Sequence, residues 1–221
     1  MTLNPFYVEA TTLDDAWHQL VYNIFDKGYY YRIDRGSYAG SYRWEYDWVT
    51  VHITKPSEYP RVPQIPESLS IPPPVTEDYV VDYFNKYIIG KEKSEGESYT
   101  YGERMLSSNQ IAEIIERYKS APNDNQLILQ IAMPSDITLD DPPCLRHIDT
   151  RIRYGKLHFF PYFRSWDLWS GFPANLAALQ LLKEYMASEI GVADGEIIAS
   201  SKGLHIYKHV EDIAKIRFYR G

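Results

Sequence analysis

Apolar positions recur at helical spacing over residues 13–26, with Ala16, Leu20 and Ile24 on one face and Thr12, Asp14 and Asp15 at an acidic start. This spacing predicts an amphipathic helix. Residues 33–41 contain Gly36 and Gly40 and predict a mobile loop; residues 42–53 then alternate as strands do. Prolines 56, 60, 63, 66, 72, 73 and 74 break the next stretch, which predicts an irregular surface excursion rather than a core element. An interdomain linker is the rival reading, disfavoured because no independent core is evident before it. Helices are predicted over 77–89 and 110–119, and a polar turn over 91–97. Residues 127–131 read as a short strand, and 146–153 and 156–163 as two more joined by the turn Tyr154-Gly155. Residues 175–190 are apolar around nearly the whole circumference of a helix, which places that helix inside a domain; Gly191 ends it. A strand at 196–200 leads into residues 203–209, and no internal repeat is evident.

These elements sum to one α+β domain over residues 1–221, with a twisted mixed sheet packed around a long helix beginning at Asn175. Composition narrows the functional classes. A net charge of −7 lacks the basic field of a general nucleic-acid binder, although a local cationic pocket could hold one phosphate. The single cysteine excludes an internal disulfide, and no signal-like or membrane-spanning run is evident, so a soluble cytoplasmic protein is expected. The 20 tyrosines suit sheet faces and pocket walls alike.

The lone cysteine, Cys144, follows Asp141-Pro142-Pro143, with Arg164-Ser165-Trp166-Asp167 twenty residues on. Alone, a buried cysteine is more often a small apolar filler than a nucleophile. Its ordered neighbours change that weighting. Pro143-Cys144, Arg164-Ser165-Trp166-Asp167, Gly171-Phe172-Pro173-Ala174-Asn175 and His205-Ile206-Tyr207 together resemble the thymidylate synthase family, whose motifs run in this order through roughly the C-terminal third. Asp34-Arg35 resembles its phosphate-binding loop, and Tyr101-Gly102 its Tyr-Gly ahead of a helix. The compact length and Cys144-Leu145-Arg146-His147-Ile148-Asp149 are most similar to the archaeal-type branch.

The resemblance implies conversion of dUMP to dTMP. Cys144 would add as thiolate to uracil C6, making C5 nucleophilic toward a one-carbon donor. Arg164 would bind phosphate and favour the thiolate by its charge. Asn175 would read N3–H and O4 of uracil, where an aspartate would suit cytosine; its bland alternative is a helix N-cap. Ser165 and Arg35 would be phosphate ligands, and Asp167 a group near the uracil edge or a structural hydrogen bond. His205 and Tyr207, on one face of a strand, would hold the ribose hydroxyl, and Tyr101 would assist proton transfer at C5. His209 continues that face without a role. The one-carbon donor would be 5,10-methylenetetrahydrofolate or a tetrahydromethanopterin-like reduced pterin. No metal is expected, since His147 and His158 lack ligand partners at suitable spacing.

Five departures bear on this reading. The family's cross-subunit arginine pair is replaced by Asn125-Gln126, so a monomer becomes plausible beside a homodimer. Leu145 stands where a histidine is common, and Lys202-Gly203 where Gly-Asp is. The family's helical glutamate has no clear counterpart, Asp82 being a stand-in. A tail closing over the folate is not evident, which leaves the proline-rich excursion as a candidate lid. Alternatives are a pyrimidine-nucleotide hydroxymethylase and a non-catalytic nucleotide-binding regulator.

Overall fold

A computed structural model describes residues 2–218. In chain order it contains β1 (Pro5–Ala10), α1 (Leu13–Lys27), β2 (Tyr29–Arg32), β3 (Tyr42–Glu45), β4 (Trp48–Ile53) and α2 (Glu77–Tyr83), which runs on as a π-helical turn, Phe84–Ile88. Then come α3 (Tyr101–Ser107), α4 (Gln110–Ser120), β5 (Ile128–Gln130), β6 (Leu145–Arg153), β7 (Lys156–Phe163), β8 (Trp166–Asp167), α5 (Gly171–Ile190), β9 (Ala193–Ser201), β10 (Leu204–Tyr207) and α6 (Lys208–Arg217).

The expected single sheet is two. Six strands pair in the order β1-β4-β9-β7-β6-β5, with β1·β4 and β7·β9 parallel and the rest antiparallel. Four shorter strands form a second sheet, β2-β3-β10-β8. Burial alternates along β4 but not along β3, and the two belong to different sheets, because the chain turns at Tyr46-Asp47 and Tyr46 is itself buried, donating its hydroxyl to the Leu20 carbonyl at 2.8 Å. The β6–β7 hairpin turns on Tyr154 and Gly155, both at positive φ (53° and 71°), the geometry a two-residue loop needs to match strand twist.

Helix α1 begins where Thr12 accepts a hydrogen bond from the Asp15 amide, and buries Ala16, Trp17, Leu20 and Ile24. Each such large apolar side chain contributes roughly 1.5–3 kcal/mol by leaving water. Helix α5 starts four residues before the expected position. The Asp167 carboxylate accepts the amides of Ser170 (3.1 Å) and Gly171 (3.0 Å), so the start is capped from outside the helix and Asn175 lies within its second turn rather than at its cap. Phe172, Leu176, Leu179, Leu182 and Met186 are fully buried along it, and it packs on α1, α2, α4, β7 and β9. Lys183 is buried in the same helix, donating to the Gly195 carbonyl and pairing with Asp194 at 3.0 Å; burial pushes its pKa down to about 8. At its end Gly191 takes the left-handed conformation, φ 84°.

Three elements differ from expectation. Strand β1 was not expected: its buried side chains are only Val8 and Ala10, too few for a clear period. Tyr101 opens α3 instead of preceding it. His209 lies in α6 and does not extend the β10 face. Among the described residues, no helix is long and apolar enough to cross a membrane, and no cluster of three His, Cys, Asp or Glu could hold a metal ion.

Candidate active site

The three distant motifs are locked together by backbone pairing. Arg164 N–H donates to the Cys144 carbonyl (2.9 Å), joining the start of β6 to the end of β7. Strand β8 runs parallel to β10, with Trp166 N–H on the Gly203 carbonyl (2.9 Å) and Leu168 N–H on the His205 carbonyl (2.7 Å). Residues far apart in sequence therefore share one rigid frame around Cys144.

Two cavities meet at Cys144. The first, about 880 Å³, is lined by Arg35, Arg43, Arg146, Arg164, Ser165, Lys202, His205 and Tyr207. The second, about 860 Å³, is lined by Tyr79, Tyr83, Tyr87, Tyr99, Tyr101 and Asn175. Cys144, Asp141 and Asp167 line both. Hence the residues of the sequence motifs do come together, but on two sides of the sulfur: Arg35, Arg164, Ser165, His205 and Tyr207 on one, Tyr101 and Asn175 on the other.

Arg164 donates through Nε to the carbonyls of Pro142 and Pro143, both at 3.2 Å, and its Nη2 lies 3.3 Å from Asp141. It thus props up the Pro-Pro-Cys turn and lines the first cavity together with Cys144. Its effect on the thiol is smaller than expected. Burial pushes the Cys144 pKa up, Asp141 and Asp167 push the same way, and Arg164, the largest opposing charge, offsets only part of the rise. The lowering expected from Arg164 is present but is outweighed by burial.

His205 is 2% exposed. Its Nδ1 lies 2.8 Å from the Gly203 carbonyl, which can only accept, so Nδ1 carries the proton and Nε2 is left as a buried acceptor without a protein partner among the described residues. Burial, with Arg43 adding to it, lowers its pKa to about 4, so the ring stays neutral at pH 7. Tyr207 packs edge-on against it at 4.5 Å, and burial raises its pKa to about 12. Both therefore offer neutral hydrogen-bonding groups to the first cavity.

On the second side, Tyr101 accepts the Leu145 amide through its hydroxyl (3.2 Å), one residue from the sulfur. Burial holds its pKa well above the usual phenol value. Asn175 Oδ1 accepts from Trp166 Nε1 (2.9 Å), and its Nδ2 donates to the Tyr83 hydroxyl (2.7 Å). Asp167 accepts from Trp169, Ser170 and Gly171 amides and from Ser170 Oγ, so its carboxylate is engaged as the α5 cap. Asp82 is half-exposed and pairs with Lys86 at 2.8 Å.

Sequence reasoning missed Arg43, Arg146, Lys202 and the tyrosine wall. Arg146, two residues beyond Cys144, lines the same cavity, and its nearness in sequence was an available signal. Tyr79, Tyr83 and Tyr87 recur every four residues through α2 and its π-turn, and their rings stack at 6.1 and 5.3 Å with interplanar angles of 8° and 17°. That spacing was legible too, but was hidden by the abundance of tyrosine.

The site is thus a cysteine between a cation-lined cavity and an aromatic one, with the partly buried Asn175 amide on the aromatic side. Comparison with known proteins gives the family. Residues 78–220 match the thymidylate synthase family model. A Methanosarcina acetivorans protein named "Putative thymidylate synthase" is 31% identical over 217 residues, covering 94% of each chain. A Methanothermobacter thermautotrophicus protein of the same name is 28% identical over 225 residues, covering 95% of this chain and 99% of that one. A Listeria monocytogenes thymidylate synthase is 34% identical over 138 residues, covering 59% of this chain and 43% of that one. The chain belongs to the thymidylate synthase family and is of the archaeal type.

Proposed function

We propose that this chain is a methyltransferase that converts dUMP to dTMP, with Cys144 as nucleophile. The observation that carries the reading is the position of Cys144 where the cationic cavity meets the tyrosine-walled one. Phosphate is held by Arg35, Arg164 and Ser165, with Arg146 and Lys202 on the same cavity wall. The ribose hydroxyl donates to the free Nε2 of His205, and Tyr207 flanks it. Asn175 reads the uracil edge from the second cavity.

Cys144 gives its proton to solvent water and adds as thiolate to C6, so that C5 gains enolate character and O4 gains negative charge, which the Asn175 N–H stabilises. After C5 is substituted, its hydrogen leaves as a proton through the Tyr101 hydroxyl, which its raised pKa keeps as a neutral relay. Expulsion of the Cys144 thiolate from C6 restores the uracil double bond. The stacked faces of Tyr79, Tyr83 and Tyr87 suit a flat heteroaromatic ring, and these residues with Tyr99 would hold the reduced pterin and keep water from C5. When bound, that group supplies the one-carbon unit and the hydride; 5,10-methylenetetrahydrofolate and a tetrahydromethanopterin-like pterin both meet this need. Asn125-Gln126 stands where the family has its cross-subunit arginine pair, so the reading is compatible with a monomer as well as with a homodimer.

The test is release of the C5 hydrogen from labelled dUMP, with several reduced pterins supplied in turn, for wild type and Cys144→Ala. Release by the wild type alone supports the reading. Equal release by both proteins removes Cys144 from the chemistry, and binding of dUMP without release under any pterin supports a non-catalytic regulator instead.

A further inference from the structure

The Asn175 amide is held in one of its two orientations, and the residue that decides which is Trp166. An indole N–H can only donate, so the atom 2.9 Å from Trp166 Nε1 must be the amide oxygen. The Tyr83 hydroxyl on the other side can donate or accept, and would tolerate either orientation. A flipped amide would set Nδ2–H against Nε1–H, donor against donor. The indole cannot turn away: Trp166 is 1% exposed, stacked on Phe163 at 3.8 Å and 7° and packed against Phe172 at 4.6 Å. The backbone on both sides is fixed, with Trp166 in β8 paired to β10 and Asn175 in the second turn of α5, whose start Asp167 caps.

Once these two bonds are made, the amide has one lone pair on Oδ1 and one N–H on Nδ2 to offer the second cavity. That pair complements N3–H and O4 of uracil. Cytosine presents the inverse edge, an acceptor at N3 and donors at the exocyclic amine, and a flipped asparagine would read it equally well. An asparagine by itself is therefore ambivalent between the two bases. We infer that Trp166 is a specificity-determining residue, positioning the Asn175 amide so that the site selects uracil over cytosine nucleotides. This rests on the proposed function, in which Asn175 faces the base.

The experiment is calorimetric titration of dUMP and dCMP into wild type, Trp166→Phe, a chain carrying the benzothienyl isostere of tryptophan at 166, and Tyr83→Phe. The isostere keeps ring shape and packing but replaces N–H by sulfur, and carries the test if the phenylalanine variant fails to fold. The wild type is expected to prefer dUMP. Loss of the indole N–H should shrink the ratio of the two dissociation constants by about tenfold or more, mostly by tightening dCMP. Tyr83→Phe should weaken dUMP while keeping the ratio within about threefold of wild type. A ratio that stays at the wild-type value in the Trp166 variants, with dUMP still bound, overturns the inference and leaves the proposed function standing. A wild type that binds neither nucleotide overturns both.

Discussion

The two cavities that meet at Cys144 are built by opposite means. On the phosphate side the arginines are pre-paired with carboxylates: Arg35 with Asp140 (3.1 Å), Arg164 with Asp141 (3.3 Å), Arg43 with Glu45 (2.6 Å) and Arg146 with Asp136 (3.7 Å). Asp140 and Asp141 are largely exposed, so their pairs with Arg35 and Arg164 contribute little to stability and are cheap to exchange for a phosphate. The tyrosine side has its order from ring stacking and from hydroxyls bonded to the Leu145 amide and the Asn175 side chain. The first cavity is an adjustable electrostatic clamp, whose grip should fall with salt. The second is a stiff wall whose response is to lost volume or a lost hydrogen bond.

The largest effect should fall at the junction. Cys144→Ser should lower release of the C5 hydrogen by about a thousandfold or more while dUMP affinity, read by calorimetry, stays within about threefold. A proportionate loss of affinity would instead make the sulfur a packing group shared by both cavities. Next is the electrostatic link between the two sides. Arg164→Leu removes the main charge that opposes burial, so the Cys144 thiol should rise further, and the pH profile of its alkylation by iodoacetamide should move to higher pH. An unmoved profile would separate the clamp from the nucleophile.

His205 gives a smaller, pH-dependent effect. Its folded pKa, about 4, lies below the ordinary 6.5, so the unfolded chain binds the extra proton first as pH falls. The stability this neutral ring contributes is complete above about pH 6.5 and is lost as pH falls through about 4, on the order of 1–3 kcal/mol. Urea unfolding of His205→Gln should show a flatter pH dependence than wild type across that window. The smallest effect belongs to Arg35. Arg35→Ala should change stability by less than about 0.5 kcal/mol, since its pair with Asp140 is exposed, yet weaken dUMP several-fold. A melting shift as large as that of His205→Gln would show the clamp to be structural.

What could be read from sequence divides along the same line. The helix periods of α1, α4 and α5, the Tyr154-Gly155 hairpin and the ordered motifs at Cys144, Arg164, Asn175 and His205 all follow from local rules or from adjacency along the chain. Strand β1 and the split of β3 from β4 do not: β1 is an edge strand recognised only by its pairing with β4, and β3 and β4 are separated by partners more than a hundred residues away, β10 and β9. The cap of α5 was missed because Asp167 acts from outside the helix it caps. The upward shift of the Cys144 thiol was not legible because sequence shows a nearby arginine but not the burial that outweighs it. The tyrosine wall was within reach, through the fourfold spacing of Tyr79, Tyr83 and Tyr87.

The central claim is that the sulfur at the junction bonds to the pyrimidine ring. A dUMP carrying fluorine at C5 has no C5 hydrogen to lose as a proton, so the adduct should persist. Mass spectrometry of the chain, denatured after incubation with 5-fluoro-dUMP and a reduced pterin, should find the nucleotide mass on the peptide containing Cys144. Turnover of unmodified dUMP under the same conditions, with no covalent mass on Cys144, would contradict the account.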